Sequence, residues 1–125
     1  MTHTILLVED EQSLRTAVSK TLTDRGYNVV TAANGTDALK QYKKTKPDLV
    51  LLDIILPEKS GFAVLEELRV KLNSNTPVII LSNLDQPDDI TTGKHLGAND
   101  YVLKSNTSLK DIIQLVHQTL ARAHA

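Results

Sequence analysis

Five short apolar runs, separated by segments with helical periodicity, constrain the fold of this chain more than any other feature. The runs occupy residues 4–8, 28–32, 49–53, 77–82 and 100–103. Most of them lack the alternation of apolar and polar residues that is typical of a half-exposed strand, so they predict strands buried on both faces. Five strands that alternate with helices predict an α/β fold, and its expected topology is a doubly wound five-stranded parallel sheet.

The segments between the strands place apolar residues on one helical face and have recognisable ends. Gly26 and Pro47 follow the first two segments, and Ser108 and Asp111 have the spacing of a capping box before the last. The apolar positions, in chain order, are Leu14, Ala17, Val18 and Leu22; Ala38, Leu39 and Tyr42; Val64, Leu65, Leu68 and Leu72; and Leu109, Ile112, Ile113, Val116 and Leu120.

The fourth segment, residues 85–97, has the weakest helical pattern. Asp85 and Pro87 favour the start of a helix, but Thr91, Thr92 and Gly93 each lower helix propensity by roughly 0.5–1 kcal/mol relative to alanine. We therefore expect a short helix that is easily remodelled.

Length and composition are those of one globular domain. The chain has 125 residues, of which 41% are hydrophobic and 23% are charged. The net charge of −1 gives no general attraction to nucleic acid or to an anionic membrane. There is no cysteine, which excludes disulfides and thiolate metal sites, and no apolar run is long enough for a signal peptide or a membrane span. These properties predict a single soluble, cytoplasmic domain over residues 1–125.

Polar side chains stand at the ends of four predicted strands. Glu9 and Asp10 follow the first strand, Asp53 ends the third, Ser82 ends the fourth and Lys104 follows the fifth. Open α/β sheets bind ligands at the carboxyl ends of their strands, so we expect these side chains to converge. Singly, each has an ordinary interpretation as a helix-start acid, a turn residue, a polar strand end or a solvated lysine. Their joint placement is harder to explain in that way.

The chemistry of this set is that of phosphoryl transfer. Three clustered carboxylates repel one another and need a cation, and oxygen ligands without histidine or cysteine suit Mg²⁺ before Zn²⁺. Mg²⁺ and Lys104 would neutralise an incoming phosphoryl group, and the Ser82 hydroxyl would donate a hydrogen bond to it. A carboxylate held against Mg²⁺ can act as a nucleophile and form an acyl phosphate.

Four stretches resemble the receiver domain of two-component response regulators: ILLVEDE at 5–11, DLVLLDIILPEKSG at 48–61, PVIILS at 77–82 and GANDYVLK at 97–104. The resemblance covers the whole chain. It implies a flavodoxin-like (βα)5 fold with strand order 2-1-3-4-5, like that of chemotaxis receivers. It also implies a phosphorylation-activated switch that is not an enzyme, except that it promotes its own phosphorylation and dephosphorylation.

The resemblance also implies the roles of the metal ligands and the acceptor. Asp53 would receive the phosphoryl group from a histidine kinase. Mg²⁺ would be bound by Asp10, Asp53 and the backbone carbonyl of Ile55, with Glu9 helping directly or through water.

Further roles follow for the residues that would hold and read the phosphoryl group. Ser82 and Lys104 would bind its oxygens, and Tyr101 would be the switch aromatic, whose alternative interpretation is a half-buried strand residue. Pro57 and Gly61 would shape the loop after the third strand.

Three positions depart from the family pattern. Ser105 replaces the usual proline after the site lysine, and because a cis bond before a non-proline residue costs about 3–4 kcal/mol, we expect a trans bond and a shifted loop. Asn83 replaces a small residue, which would narrow access to the site. Ile55 and Leu84 replace polar side chains and should hinder the attacking water, which predicts a long-lived phosphoryl-aspartate.

The implied partners are a histidine kinase or phosphotransfer protein, and a downstream partner or output domain that reads the fourth helix, fifth strand and last helix. A phosphorylation-dependent dimer is left open, and no direct binding of nucleic acid or membrane is predicted.

The four histidines have no ligand spacing and are predicted to lie at the surface: His3, His95, His117 and His124.

Three other functions fit the sequence less well. A flavin-binding domain needs a hydroxyl- and glycine-rich phosphate loop where the acidic EDEQS stands at 9–13. An aspartyl-phosphate phosphatase carries a second aspartate where Ile55 stands here. A phosphorylation-independent pseudo-receiver is favoured only by Ser105, and the intact set of acidic residues, Asp53, Ser82 and Lys104 opposes it.

Overall fold

The computed structural model describes residues 2–123 and contains the five strands and five helices that the sequence predicts. In chain order they are β1 (Thr4–Val8), α1 (Gln12–Asp24), β2 (Asn28–Ala32), α2 (Gly35–Thr45), β3 (Leu49–Leu52), α3 (Gly61–Glu66), β4 (Val78–Ser82), α4 (Pro87–His95), β5 (Asp100–Leu103) and α5 (Leu109–Ala123). A π-helical stretch, Glu67–Lys71, continues α3, and a 3₁₀ turn, Lys104–Asn106, joins β5 to α5.

The strands form one parallel sheet in the order β2-β1-β3-β4-β5, which confirms the doubly wound topology. Successive residues of β1 enter opposite core layers: Ile5 and Leu7 pack with α1 and α5, whereas Leu6 and Val8 pack with α2 and α3. Both faces of the inner strands are therefore covered by helices, which explains their unbroken apolar runs.

Burial on both faces holds for β1, β3 and β4 but is wrong for the two edge strands. Most positions of β2 and all four positions of β5 are partly or fully exposed. An edge strand has a neighbour on one side only, and the helical layers do not reach far enough to cover its outer side.

The predicted helix ends are largely confirmed. Gly26 ends α1 with a positive φ of 96°, and the Ser108 hydroxyl oxygen accepts a hydrogen bond from the Asp111 N–H at the start of α5. Two residues assigned to buried helix faces are exposed. Ala17 lies at the edge of its face, and Leu72 follows the π-helical stretch, whose extra residue per turn shifts the phase of the face.

The expected short helix is present as α4. Gly93 lowers the helix propensity of this segment, but it has a role in packing. A Cβ atom at Gly93 would lie 2.7 Å from the Ile80 side chain and 3.0 Å from the ring of Tyr101. The missing side chain therefore lets α4 approach the sheet closely. Whether α4 is easily remodelled stays a prediction.

No helix within residues 2–123 combines the length and apolar character needed to cross a membrane.

Arg69 joins two loops at the edge of the sheet opposite the predicted site. Its guanidinium donates hydrogen bonds to the carbonyl oxygens of Ser74, Thr76 and Gly97 at 2.7–3.2 Å, and to the side-chain oxygen of Asn99 at 3.2 Å. The loop before β4 and the loop before β5 are thereby held together, which fixes the start of both strands.

Candidate functional site

Parallel pairing brings the acidic residues together at the carboxyl edge of the sheet. β1 and β3 are neighbours with Val8 opposite Leu52, and the Asp53 N–H donates to the Val8 carbonyl oxygen at 3.0 Å. Glu9 and Asp53, the next residue of each strand, therefore lie side by side. One carboxylate oxygen from each of Glu9, Asp10 and Asp53 lies within 4.8 Å of the other two. The predicted convergence of these three residues is observed.

Glu9 is the most buried of the three acids and is only 2% exposed. Its carboxylate accepts hydrogen bonds from the Lys104 ammonium at 2.7 Å and from the Glu11 N–H at 3.1 Å. Burial raises the pKa of the Glu9 carboxyl above its usual value, and these two contacts offset that effect only in part. Glu9 is therefore an oriented, buried carboxyl group rather than a solvated helix-start acid.

Asp53 is 5% exposed, and its two oxygens have different partners. Oδ1 accepts hydrogen bonds from the backbone N–H groups of Ile54 at 2.7 Å and Ile55 at 3.4 Å. Oδ2 contacts the Lys104 ammonium at 2.9 Å. The first oxygen is thus fixed by the backbone, whereas the second is paired with a side-chain ammonium.

Lys104 lies between the two buried carboxylates, and its side chain is 14% exposed. Burial alone lowers the pKa of the Lys104 ammonium, but the hydrogen bonds and charges of Glu9 and Asp53 outweigh burial and raise that pKa above its usual value. The ammonium is therefore charged, and it pairs with both buried carboxylates at once.

Ser82 and Tyr101 are joined through the backbone of Leu84. The Ser82 hydroxyl, which is fully buried at the end of β4, accepts a hydrogen bond from the Leu84 N–H at 3.3 Å. The Tyr101 hydroxyl donates to the Leu84 carbonyl oxygen at 2.7 Å. Burial raises the pKa of the Tyr101 phenol, and the nearby carboxylate of Asp89 raises it further. A movement of the Leu84 backbone would therefore alter the hydrogen bonds of both side chains.

The loop after β3 closes tightly on itself. The Gly61 N–H donates to the Ile54 carbonyl oxygen at 2.8 Å, and the Pro57 carbonyl oxygen accepts from the N–H of Gly35 at 3.3 Å. These bonds place Ile55 at the rim of the site, where it is 60% exposed. An apolar residue this exposed has no packing role, so its position at the rim bears on access to the site.

Two of the positions that depart from the family pattern can be compared with the structure. The bond between Lys104 and Ser105 is trans, as predicted, because the described residues contain no cis peptide bond. Asn83 is exposed, and its effect on access stays a prediction.

The donor set fits a hard divalent cation. Two buried carboxylates and one exposed carboxylate offer oxygen atoms at one point, and the single ammonium of Lys104 leaves the cluster with excess negative charge. Oxygen donors of this kind are those that Mg²⁺ prefers in proteins.

Comparison with known proteins agrees with this geometry. The sequence model of the response regulator receiver domain matches residues 5–117. This chain belongs to the response-regulator receiver family. Receiver domains are signalling modules of two-component systems, they bind Mg²⁺ through acidic residues, and phosphorylation-dependent switching is their general function. Response regulators act with histidine kinases and output domains.

Individual relatives support the same assignment. The probable transcriptional regulator ycf27 of Pyropia yezoensis is 41% identical over 119 residues, which are 95% of this chain and 48% of that protein. The receiver domain of the Francisella response regulator 1452 is 29% identical with a TM-score of 0.91, over 98% of this chain and 99% of that one. The BeF3-activated receiver domain of RstA from Klebsiella pneumoniae is 32% identical with a TM-score of 0.86, over 94% and 97%. The chain spans about half the length of the curated relatives it matches.

The three histidines that the structure describes lie away from this receiver site. His95 and His117 are exposed, and His117 contacts the Tyr27 hydroxyl at 3.2 Å, whereas His3 is partly exposed. His124 lies outside the described residues.

Sequence reasoning missed two features of the receiver site. One is the backbone link through Leu84. The other is Arg15, whose guanidinium donates to the Glu9 carbonyl oxygen at 2.8 Å. The Leu84 link leaves no pattern along the chain, whereas the place of Arg15 on the first turn of α1 was a signal for the second contact.

Proposed function

We propose that residues 1–125 form one receiver domain that accepts a phosphoryl group on Asp53. The observation that carries the proposal is the arrangement around this buried carboxylate, with Oδ1 fixed by backbone N–H groups and Oδ2 paired to the Lys104 ammonium. A carboxylate oxygen attacks phosphorus of a phosphohistidine in the partner kinase or phosphotransfer protein. The P–N bond breaks and histidine leaves with its electron pair, so that an acyl phosphate forms.

Each site residue has a separate task in this proposal. Asp10, Asp53 and the Ile55 carbonyl would hold Mg²⁺ with help from Glu9, and the bound ion would offset charge on the phosphoryl group. Lys104 follows the new negative charge and leaves Glu9. The domain promotes only its own phosphorylation and dephosphorylation, so it acts as a signalling switch rather than as an enzyme.

The signal would leave the site through the Ser82–Leu84–Tyr101 connection. The Ser82 hydroxyl donates a hydrogen bond to the phosphoryl group, which displaces the Leu84 backbone and breaks its bond to Tyr101. The ring then turns inward, and the surface of α4, β5 and α5 changes for a downstream partner, an output domain or a second copy. Phosphorylation shifts a two-state equilibrium in this scheme rather than building a new fold.

The phosphorylation test uses intact-protein mass after incubation with acetyl phosphate. With Mg²⁺ the chain should gain one phosphoryl group, and without Mg²⁺ or in Asp53→Asn the gain should disappear. Asp24→Asn, which alters an exposed carboxylate on α1, is the matched control and should behave like the unaltered chain. If no gain occurs with Mg²⁺ present, or if Asp53→Asn is still modified, the proposed acceptor is wrong.

Phosphoryl lifetime gives a second prediction. We expect the apolar side chains of Ile55 and Leu84 to hinder the approach of water, so Ile55→Asn with Leu84→Glu should speed phosphate loss by about tenfold, a small part of what a positioned polar group can contribute. Val70→Asn, at an apolar residue of the π-helical stretch that is 74% exposed against 60% for Ile55, serves as control. The rate is measured by following the phosphorylated mass after acetyl phosphate is removed. An unchanged rate in the double variant contradicts the role of the two side chains.

A further inference from the structure

We infer that Arg15 is a positioning residue of the receiver site, which holds the turn between β1 and α1 in the conformation that binds a divalent cation. Arg15 would not touch the cation or the phosphoryl group. It would act through the backbone of Glu9, directly before Asp10. The inference rests on the proposed function, because it concerns the same acidic site.

The Arg15 side chain binds the residue that precedes Asp10. Its Nη1 atom donates to the Glu9 carbonyl oxygen at 2.8 Å, whereas its backbone N–H makes the regular helical bond to the Glu11 carbonyl oxygen at 3.0 Å. The Glu11 N–H in turn donates to the Glu9 carboxylate at 3.1 Å. These three bonds close the turn around Asp10 and set the direction in which its exposed side chain leaves the backbone.

The turn lacks the usual device for fixing the start of a helix. Glu11 stands at the position before α1, and its side chain makes no capping hydrogen bond. The guanidinium of Arg15 only donates hydrogen bonds and so cannot cap the helix, but it restrains the same turn from inside the helix. Since it reaches back over the first turn to Glu9, it ties α1 directly to the end of β1.

The donor chemistry of a guanidinium suits this contact. All of its polar groups are N–H donors, which a backbone carbonyl oxygen can accept. Its hydrogen bond goes to a backbone carbonyl, which leaves the carboxylate oxygens of Asp10 for the cation. Lys104, by contrast, contacts carboxylate oxygens of Glu9 and Asp53 directly. The two cations therefore have different tasks.

The test measures cation binding without phosphorylation. Mn²⁺ is the probe, and its free concentration is followed by electron paramagnetic resonance during titration of the full chain at 25 °C. Arg15→Met should raise the Kd for Mn²⁺ by about 5–10-fold, near the lower limit for residues that orient metal ligands. Arg15→Lys keeps a charged donor and should lose about twofold. Arg25→Met, at an exposed arginine just after α1, should match the unaltered chain.

Thermal unfolding followed by circular dichroism separates positioning from a general structural effect. All variants should be folded at 25 °C, since methionine and lysine are good helix formers. An unchanged Kd in Arg15→Met, or an equal loss in Arg25→Met, overturns the inference alone. A loss in Arg15→Met that Arg15→Lys does not reduce overturns it as well. If the unaltered chain does not bind Mn²⁺, both the proposed metal site and this inference fail.

Discussion

Replacing Gly61 with alanine is expected to destabilise the domain by about 3 kcal/mol or more, beyond the usual range for an added methyl group. A Cβ atom at this position would lie 2.1 Å from the Asp53 carbonyl oxygen and 2.7 Å from the Ile54 Cα atom. Both are backbone atoms at the end of β3, so they cannot move aside without shifting Asp53 itself. The same displacement should also slow phosphorylation by acetyl phosphate.

The measurement is urea-induced unfolding, with the free energy of unfolding obtained by linear extrapolation. Gly26→Ala is the matched control, because Gly26 has a positive φ of 96° but nothing within 4 Å of an added Cβ. It should lose about 1 kcal/mol through backbone strain alone. A Gly61→Ala variant no less stable than Gly26→Ala would show that the loop after β3 yields easily, and would contradict the tight packing behind Asp53.

Lys104→Met is expected to destabilise the Mg²⁺-free domain by about 3 kcal/mol, the lower limit for breaking a buried ion pair by removing one partner. The substitution leaves Glu9 and Asp53 side by side without their shared cation. The loss stays near this limit because burial already raises the pKa of Glu9, so that its carboxyl group can take up a proton. Added Mg²⁺ should restore part of the stability, since it binds the folded state.

A double-mutant cycle distinguishes this electrostatic effect from lost packing. Asp53→Asn removes one of the two buried charges, so in the Lys104→Met background it should recover more than about 1 kcal/mol. Lys110→Met, at an exposed lysine near the start of α5, should change the free energy of unfolding by less than about 0.5 kcal/mol. Additive effects of Lys104→Met and Asp53→Asn in urea unfolding would contradict direct pairing between the two side chains.

Gly61→Ala and Lys104→Met both test how the structure holds Asp53. Asp53 follows the third strand and is almost fully buried. The backbone of Gly61 packs against the backbone of Asp53, and the Lys104 ammonium balances the charge of its carboxylate. Arg15 adds a third support, on the side of the neighbouring first strand. In the proposed function, a carboxylate held in this way would need little rearrangement before it accepts a phosphoryl group, and the groups proposed to move afterwards lie on the side of β4 and β5.

Neighbouring residues along the chain determined the features that the sequence predicted correctly. Unbroken apolar runs specified the inner strands, and local chemistry at Gly26 and Ser108 specified helix ends. The strand ends placed Asp53 and Lys104 at one edge, because parallel strands in one sheet share an edge by geometry. The strand order itself followed from the resemblance to receiver domains, and the structure confirms it.

Only the tertiary structure decided which contacts complete the site and the sheet. The exposure of β2 and β5 depends on how far the helical layers extend, which no local pattern encodes. Gly93 lowers helix propensity in the sequence, yet in the fold it lets α4 pack closely against Tyr101. Arg69 reaches Gly97 across 28 positions of the chain, and Leu84 joins Ser82 to Tyr101. Periodicity and propensity describe near neighbours, whereas these contacts are between segments that only folding brings together.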